Sequence, residues 1–107
     1  MLIIQNRFIP FGKHFYAINL FGIVFAKYRL SPDERRHEYI HTLQQRELLF
    51  LGFYIIYILE WFVRLVCLHR LSDAYMNISF EREAYTKMGD PDYTKHRKMF
   101  AWANYIS

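Results

Sequence analysis

Ser31-Pro32-Asp33-Glu34-Arg35-Arg36-His37-Glu38-Tyr39-Ile40-His41 decides how this chain is read. Its first four residues write a helix start. Ser31 stands at the N-cap, Pro32 at the first helical position where a missing N–H costs nothing, acids fill the first turn, and Glu34 closes a capping box. A helix turns roughly 100° per residue, so side chains four apart stand one above the other. His37 and His41 therefore share a face, and the H-E-x-x-H spacing points both imidazoles at a single zinc ion. Glu38 faces the neighbouring side, where it can take a proton from a zinc-activated water without being a ligand.

Two histidines do not hold zinc firmly, so a third protein ligand is expected elsewhere and the fourth position is left to water. The natural source is a second helix. Phe80-Glu81-Arg82-Glu83-Ala84-Tyr85 has Asn77 or Ser79 as a cap before it and Gly89 as a C-cap after it. Glu81 and Glu83 lie on nearly opposite sides of such a helix, so at most one of them faces the metal.

These two segments, Ser31 to His41 and Asn77 to Met88, resemble the gluzincin branch of the zincin metallopeptidases, as a very small member. The resemblance covers about half the chain. It implies a zinc-dependent peptidase acting on a peptide or protein substrate, with His37 and His41 as metal ligands and Glu38 as general base. In that branch the third ligand is a Glu from a downstream helix, and in several membrane-embedded members it is followed three residues later by Ala and four later by Asp. Glu81 has Ala84 at that distance, so the resemblance selects Glu81 and keeps Glu83 in reserve. Tyr85 replaces the Asp that orients the first histidine, a departure that leaves the imidazole with a weaker partner. Gln44-Gln45 after the motif is similar to small bacterial zincin-like domains. Physically, the pair either hydrogen-bonds at the site or continues a solvated helix face.

The 107 residues make one domain, 1–107. The single Cys67 forms no internal disulfide and reads as a buried small hydrophobe. The net charge of +4 is spread along the chain with no nucleic-acid motif beside it, so a membrane surface is the expected partner and nucleic acid is not. Leu48 to Leu68 strengthens that expectation, an apolar stretch of bilayer-spanning length interrupted only by Glu60 and Arg64. These two are four apart and can pair. With Tyr54 and Tyr57 they form a polar strip expected roughly opposite the His37/His41 face. An unbroken helix from Pro32 to His69 would run on the order of 55 Å, against a radius of gyration of about 13 Å for a domain of this size. Either it bends near Gly52 or it leaves the globule for a membrane or partner.

Leu2-Ile3-Ile4, Phe8 to Gly12 and Phe15 to Leu30 are rich in aromatic and β-branched residues and read as two or three short strands or hairpin arms. Gly22 to Tyr28 is the most strand-like, and an edge beside the active helix would hold a substrate by backbone pairing. The other use of these residues is as an interfacial anchor. No cleavable signal peptide is read, because Arg7, Pro10 and Lys13 interrupt any apolar core. At the other end, Asp90-Pro91-Asp92 starts a third helix, Tyr93 to Tyr105, with Lys95, Arg97 and Lys98 on one side. His96 there is either an oxyanion stabiliser or a surface histidine.

The fold expected is mainly α with a small N-terminal β element: a β-rich arm (1–30), an active-site helix running on into the apolar segment (31–70), and a ligand helix with a C-terminal helix (77–107). The expected activity is that of a membrane-associated zinc metallopeptidase. The alternative is a zinc-stabilised or metal-free membrane interaction module without turnover. The sequence leaves the oligomeric state open.

Overall fold

The computed structural model describes residues 1–6 and 17–106. Three strands come first, β1 (Leu2–Gln5), β2 (Ala17–Leu20) and β3 (Ile23–Ala26). The helices α1 (Pro32–Glu47), α2 (Leu51–Leu68), α3 (Leu71–Met76), α4 (Ser79–Lys87) and α5 (Tyr93–His96) follow, and a 3₁₀ turn closes the chain at Ala101–Tyr105. This is a mainly helical protein with a small N-terminal sheet, the class its sequence pattern implies.

The sheet has the order β1-β3-β2. β1 runs parallel to β3 with Leu2 opposite Ile23, and β2 runs antiparallel with Ala17 opposite Ala26. Phe21 and Gly22 link β2 to β3 with φ of 55° and 86°. Positive φ at both positions is the pattern of a type I′ hairpin loop, whose twist matches that of the strands, and glycine takes it without strain. Val24 and Ala26 turn inward onto Leu30. The most strand-like stretch is thus a strand, but it is the central one, paired on both sides, and offers no free edge to a substrate; among the described strands β1 and β2 are the outer ones. The arm read at Phe8 to Gly12 lies outside the described residues.

α1 begins as its sequence dictates. Ser31 Oγ accepts from the Glu34 backbone N–H at 3.1 Å and Glu34 Oε1 accepts from the Ser31 N–H at 2.9 Å, completing the capping box. The long helix is interrupted, and two residues before Gly52. Leu49 and Phe50 both take positive φ, and the Leu51 N–H reaches the Leu49 carbonyl at 2.7 Å across a tight γ-turn. Gly52 is inside α2, where an added Cβ would stand 3.3 Å from Leu48 Cβ.

The break redirects α2, and the strip of polar residues on it packs inward. Phe53 joins Ile78, Phe80 and Trp102 in the main apolar core, flanked by Tyr54, Tyr57 and Trp61. Glu60 does not pair with Arg64. Its Oε2 accepts from the Ser79 backbone N–H at 3.0 Å and from Ser79 Oγ at 2.6 Å, so α4 is capped from another helix. Neither Asn77 nor Ser79 is the cap residue: Ile78 holds that position and the Asn77 amide donates to Asp73 O at the end of α3. At the far end Met88, not Gly89, caps α4. Cys67 is exposed rather than buried, because among the described residues none covers the outer face of α2. The expected C-terminal helix is split after His96, where Arg97 takes an extended backbone and turns its side chain into the protein.

Candidate metal centre

His37, His41 and Glu81 bring three ligand atoms together. The two Nε2 atoms are 3.1 Å apart, and Glu81 Oε1 lies 3.0 Å from His41 Nε2 and 3.3 Å from His37 Nε2. Bonds of about 2.0–2.1 Å at tetrahedral angles place neighbouring ligand atoms about 3.3–3.4 Å apart, so the trio is close to the triangle that zinc requires. Two imidazoles and one carboxylate are also a donor set that zinc accepts. Glu38 lies beside them: its ligand oxygen stands within 4.8 Å of those of His37 and His41, with Oε2 at 3.8 Å from His37 Nε2. The helical spacing of α1 aligns the histidines, and the packing of α4 across α1 delivers Glu81.

Burial makes the electrostatics strong. His37 is 1 % exposed, and Glu38, His41 and Glu81 are buried with it. For His41, desolvation opposes a positive charge but is outweighed by the charge of Glu81 and its hydrogen bond, which lift the pKa to about 9. Burial also works against the Glu81 carboxylate, yet the charge of His41 and hydrogen bonds from both histidines hold it well below the usual carboxylate range. His37 goes the other way, lowered first by burial. Glu38, desolvated by burial and facing the charge of Glu81, is raised to about 7 although His41 pulls the other way, a value suited to taking up and releasing a proton near neutrality.

A ring of polar side chains surrounds the trio. Tyr57 Oη donates to Glu81 Oε2 at 2.8 Å, from the helix side that was expected to face away. Gln44 and Gln45 are fully buried, which excludes the solvated-face reading. Gln44 Oε1 lies 2.8 Å from His41 Nδ1, while Gln45 binds Asn19 O through Nε2 and accepts the Gly22 N–H at 3.1 Å, tying the hairpin to α1. Asn19 Nδ2 adds bonds of 2.8 Å to Glu38 O and Thr42 Oγ1. Tyr85 meets His37 ring to ring, with centroids 4.3 Å apart. His37 Nδ1 has no hydrogen-bond partner among the described residues.

Glu83, kept in reserve as a ligand, is committed to other partners. It is fully buried, held by Tyr93 Oη at 2.7 Å and by Arg97 Nε at 2.6 Å. Arg97 in turn forms an ion pair with Glu47 at 2.7 Å. Of the other residues singled out in the sequence, His96 is exposed on α5 and lies outside the converging group. Tyr57, Arg97 and Glu47 were not legible as site residues, and Glu83 was legible only as a reserve ligand, not as the support it gives. The only signals were a tyrosine in an apolar helix and a second glutamate two positions from the ligand.

The fold and this centre define a small, mainly helical protein with a buried His/Glu group at metal-ligand distance. Comparison with protein-family models, curated proteins and solved structures finds no match.

Proposed function

We propose that this chain is a zinc-dependent metallopeptidase of the gluzincin kind, with His37, His41 and Glu81 as ligands and Glu38 as general base. The observation that carries the reading is the convergence of three ligand atoms, two from α1 and one from α4, within 3.0–3.3 Å of one another. Bound there, zinc would supply a Lewis acid and make a water acidic near neutral pH. Glu38, one residue off the ligand line, accepts the water's proton and returns it to the leaving amine. A C–O bond forms as the peptide C–N bond breaks, with no further reactant.

The same reading seats the protein at a membrane. α2 is long and apolar enough to cross one. Its exposed side carries Leu51, Ile55, Ile58, Leu59, Phe62, Val63 and Val66, which suits contact with lipid chains. Its other side is committed to the protein through Phe53, Tyr57 and Glu60.

One observation favours a second reading, a zinc clasp between α1 and α4 without turnover. All four acidic and imidazole side chains are buried and Tyr57 closes over the second oxygen of Glu81, as in a structural site. Two variants separate the readings. His41→Ala is expected to lose stoichiometric zinc, measured by metal analysis of the purified protein. Glu38→Gln is expected to keep zinc and lose peptide hydrolysis. Wild-type protein that holds zinc but cleaves no peptide from a diverse library, in detergent or in vesicles, establishes the clasp instead.

A further inference from the structure

The Gln44 amide has one admissible orientation. Its Nε2 lies 3.1 Å from the Phe80 carbonyl oxygen and 2.9 Å from Glu83 Oε1, two atoms that can only accept. Turning the amide over would set its own oxygen against both. Oε1 therefore faces His41 Nδ1 at 2.8 Å, and this nitrogen carries the hydrogen. With the proton fixed on Nδ1, the lone pair of a neutral His41 is on Nε2, the atom that meets His37 Nε2 and Glu81 Oε1.

We infer that Gln44, backed by Glu83 and Arg97, is a positioning residue that fixes His41 as an Nε2 ligand; the inference rests on the proposed metal centre. Glu83 is itself immobilised by Tyr93 Oη and by two nitrogens of Arg97, at 2.6 and 3.1 Å. The α4 helix thus controls both ring nitrogens of one histidine. Glu81 meets Nε2 directly, and Glu83, two residues on, reaches Nδ1 through Gln44. Among the described residues His37 Nδ1 has no hydrogen-bonding support of this kind, and the ring of Tyr85 packs against its imidazole instead. The carboxylate that conventionally backs a zinc-binding histidine is here one amide further away, which orients the ring while keeping a second negative charge off it.

The test uses the full chain, zinc affinity by chelator competition, and nitrogen NMR of the imidazoles to read the tautomer. Gln44→Met preserves bulk and removes the acceptor. It is expected to weaken zinc binding about 10–100-fold, the range for loss of such a partner, and to release His41 from the Nδ1–H form. Gln44→Glu places two carboxylates against each other and is expected to bind worse still. Adding Glu83→Gln to Gln44→Glu restores an acceptor for Nδ1–H and an amide donor to hold it, and is expected to recover most of the lost affinity. Gln44→Met with wild-type affinity and an unchanged tautomer overturns the inference and leaves the metal centre standing. A folded double variant no better than Gln44→Glu does the same. Wild-type protein that binds no zinc overturns the metal centre, and the inference with it.

Discussion

Helices α1 and α2 distribute their residues in opposite senses. α1 is rich in charged and amide side chains and buries His37, Glu38, His41, Thr42, Gln44 and Gln45, whereas α2 is almost wholly apolar and buries only Phe53. Hydropathy alone would place them the other way round. Burying polar groups is costly unless every one finds a partner, and around α1 nearly every one does. Such an interior has a use as a site, because low polarisability of the surroundings strengthens the charges it encloses. An apolar helix left open has a use only against another apolar surface.

The largest effect on folding is expected where the polar interior is broken at its most charged point. Arg97 is paired with Glu83 and Glu47, all three side chains being buried. Arg97→Met keeps the bulk but leaves two carboxylates without a countercharge, and a loss of about 3–5 kcal/mol is expected in denaturant unfolding. Replacing all three by apolar residues of similar volume should recover much of that loss. A neutral Arg97→Met would mean that the inverted interior is not held by its ion pairs, and the contrast between the helices would lose its physical basis.

How far this was legible follows the same division. The start of α1 was readable to the residue because Ser31, Pro32 and Glu34 act locally, and the alignment of His37 with His41 needs only the helical period. Glu81 was selected by the Glu-x-x-Ala spacing that the family resemblance implies rather than by geometry, and α4 does carry it to the histidines. What failed depended on contacts distant in the chain. Glu83 could be read only as a reserve ligand because its partners Gln44 and Arg97 lie 39 and 14 positions away. Tyr57 was assigned to the far side because α1 and α2 were read as one helix, and a break at Leu49 and Phe50 resets the rotation of everything after it. No residue there announces such a break: leucine and phenylalanine rarely take positive φ.

A smaller effect comes from protons at the centre, and it separates the metal-free from the metal-loaded interior. In the metal-free protein the His41 pKa stands at about 9, above the ordinary 6.5. A raised pKa contributes stability that is complete below pH 6.5 and disappears as pH rises through 9. Glu38, raised to about 7, acts in the same direction up to neutrality. Glu81, held low, contributes above its ordinary 4.5 and loses that contribution only in acid, while the lowered His37 acts below 6.5. From pH 6.5 to 9, therefore, the metal-free protein should lose on the order of 2–3 kcal/mol. Zinc reverses the trend, since His41 must give up its proton to bind it, and the gain in Tm on adding zinc should grow over the same interval. Thermal unfolding with and without a chelator measures both. A flat metal-free profile would show that His41 and Glu81 do not share a proton-dependent contact.

The smallest effect on folding is expected on the outer face of α2, and this is where the contrast can be overturned outright. Ile58 is 62 % exposed and Phe62 60 %, so neither contributes much burial to the fold. Glutamine is a good helix former, and Ile58→Gln with Phe62→Gln should change unfolding stability by no more than about 0.5 kcal/mol each. Their effect should appear at the membrane instead. Burying such a side chain in an apolar phase is worth about 1.5–3 kcal/mol, so each substitution should lower binding to vesicles by about tenfold or more in flotation. Losses of stability above about 2 kcal/mol without lipid would mean that protein covers this face in solution, in the first instance a second copy of the chain. Concentration-dependent unfolding would identify that case, and α2 would then be an interior helix like α1 rather than its opposite.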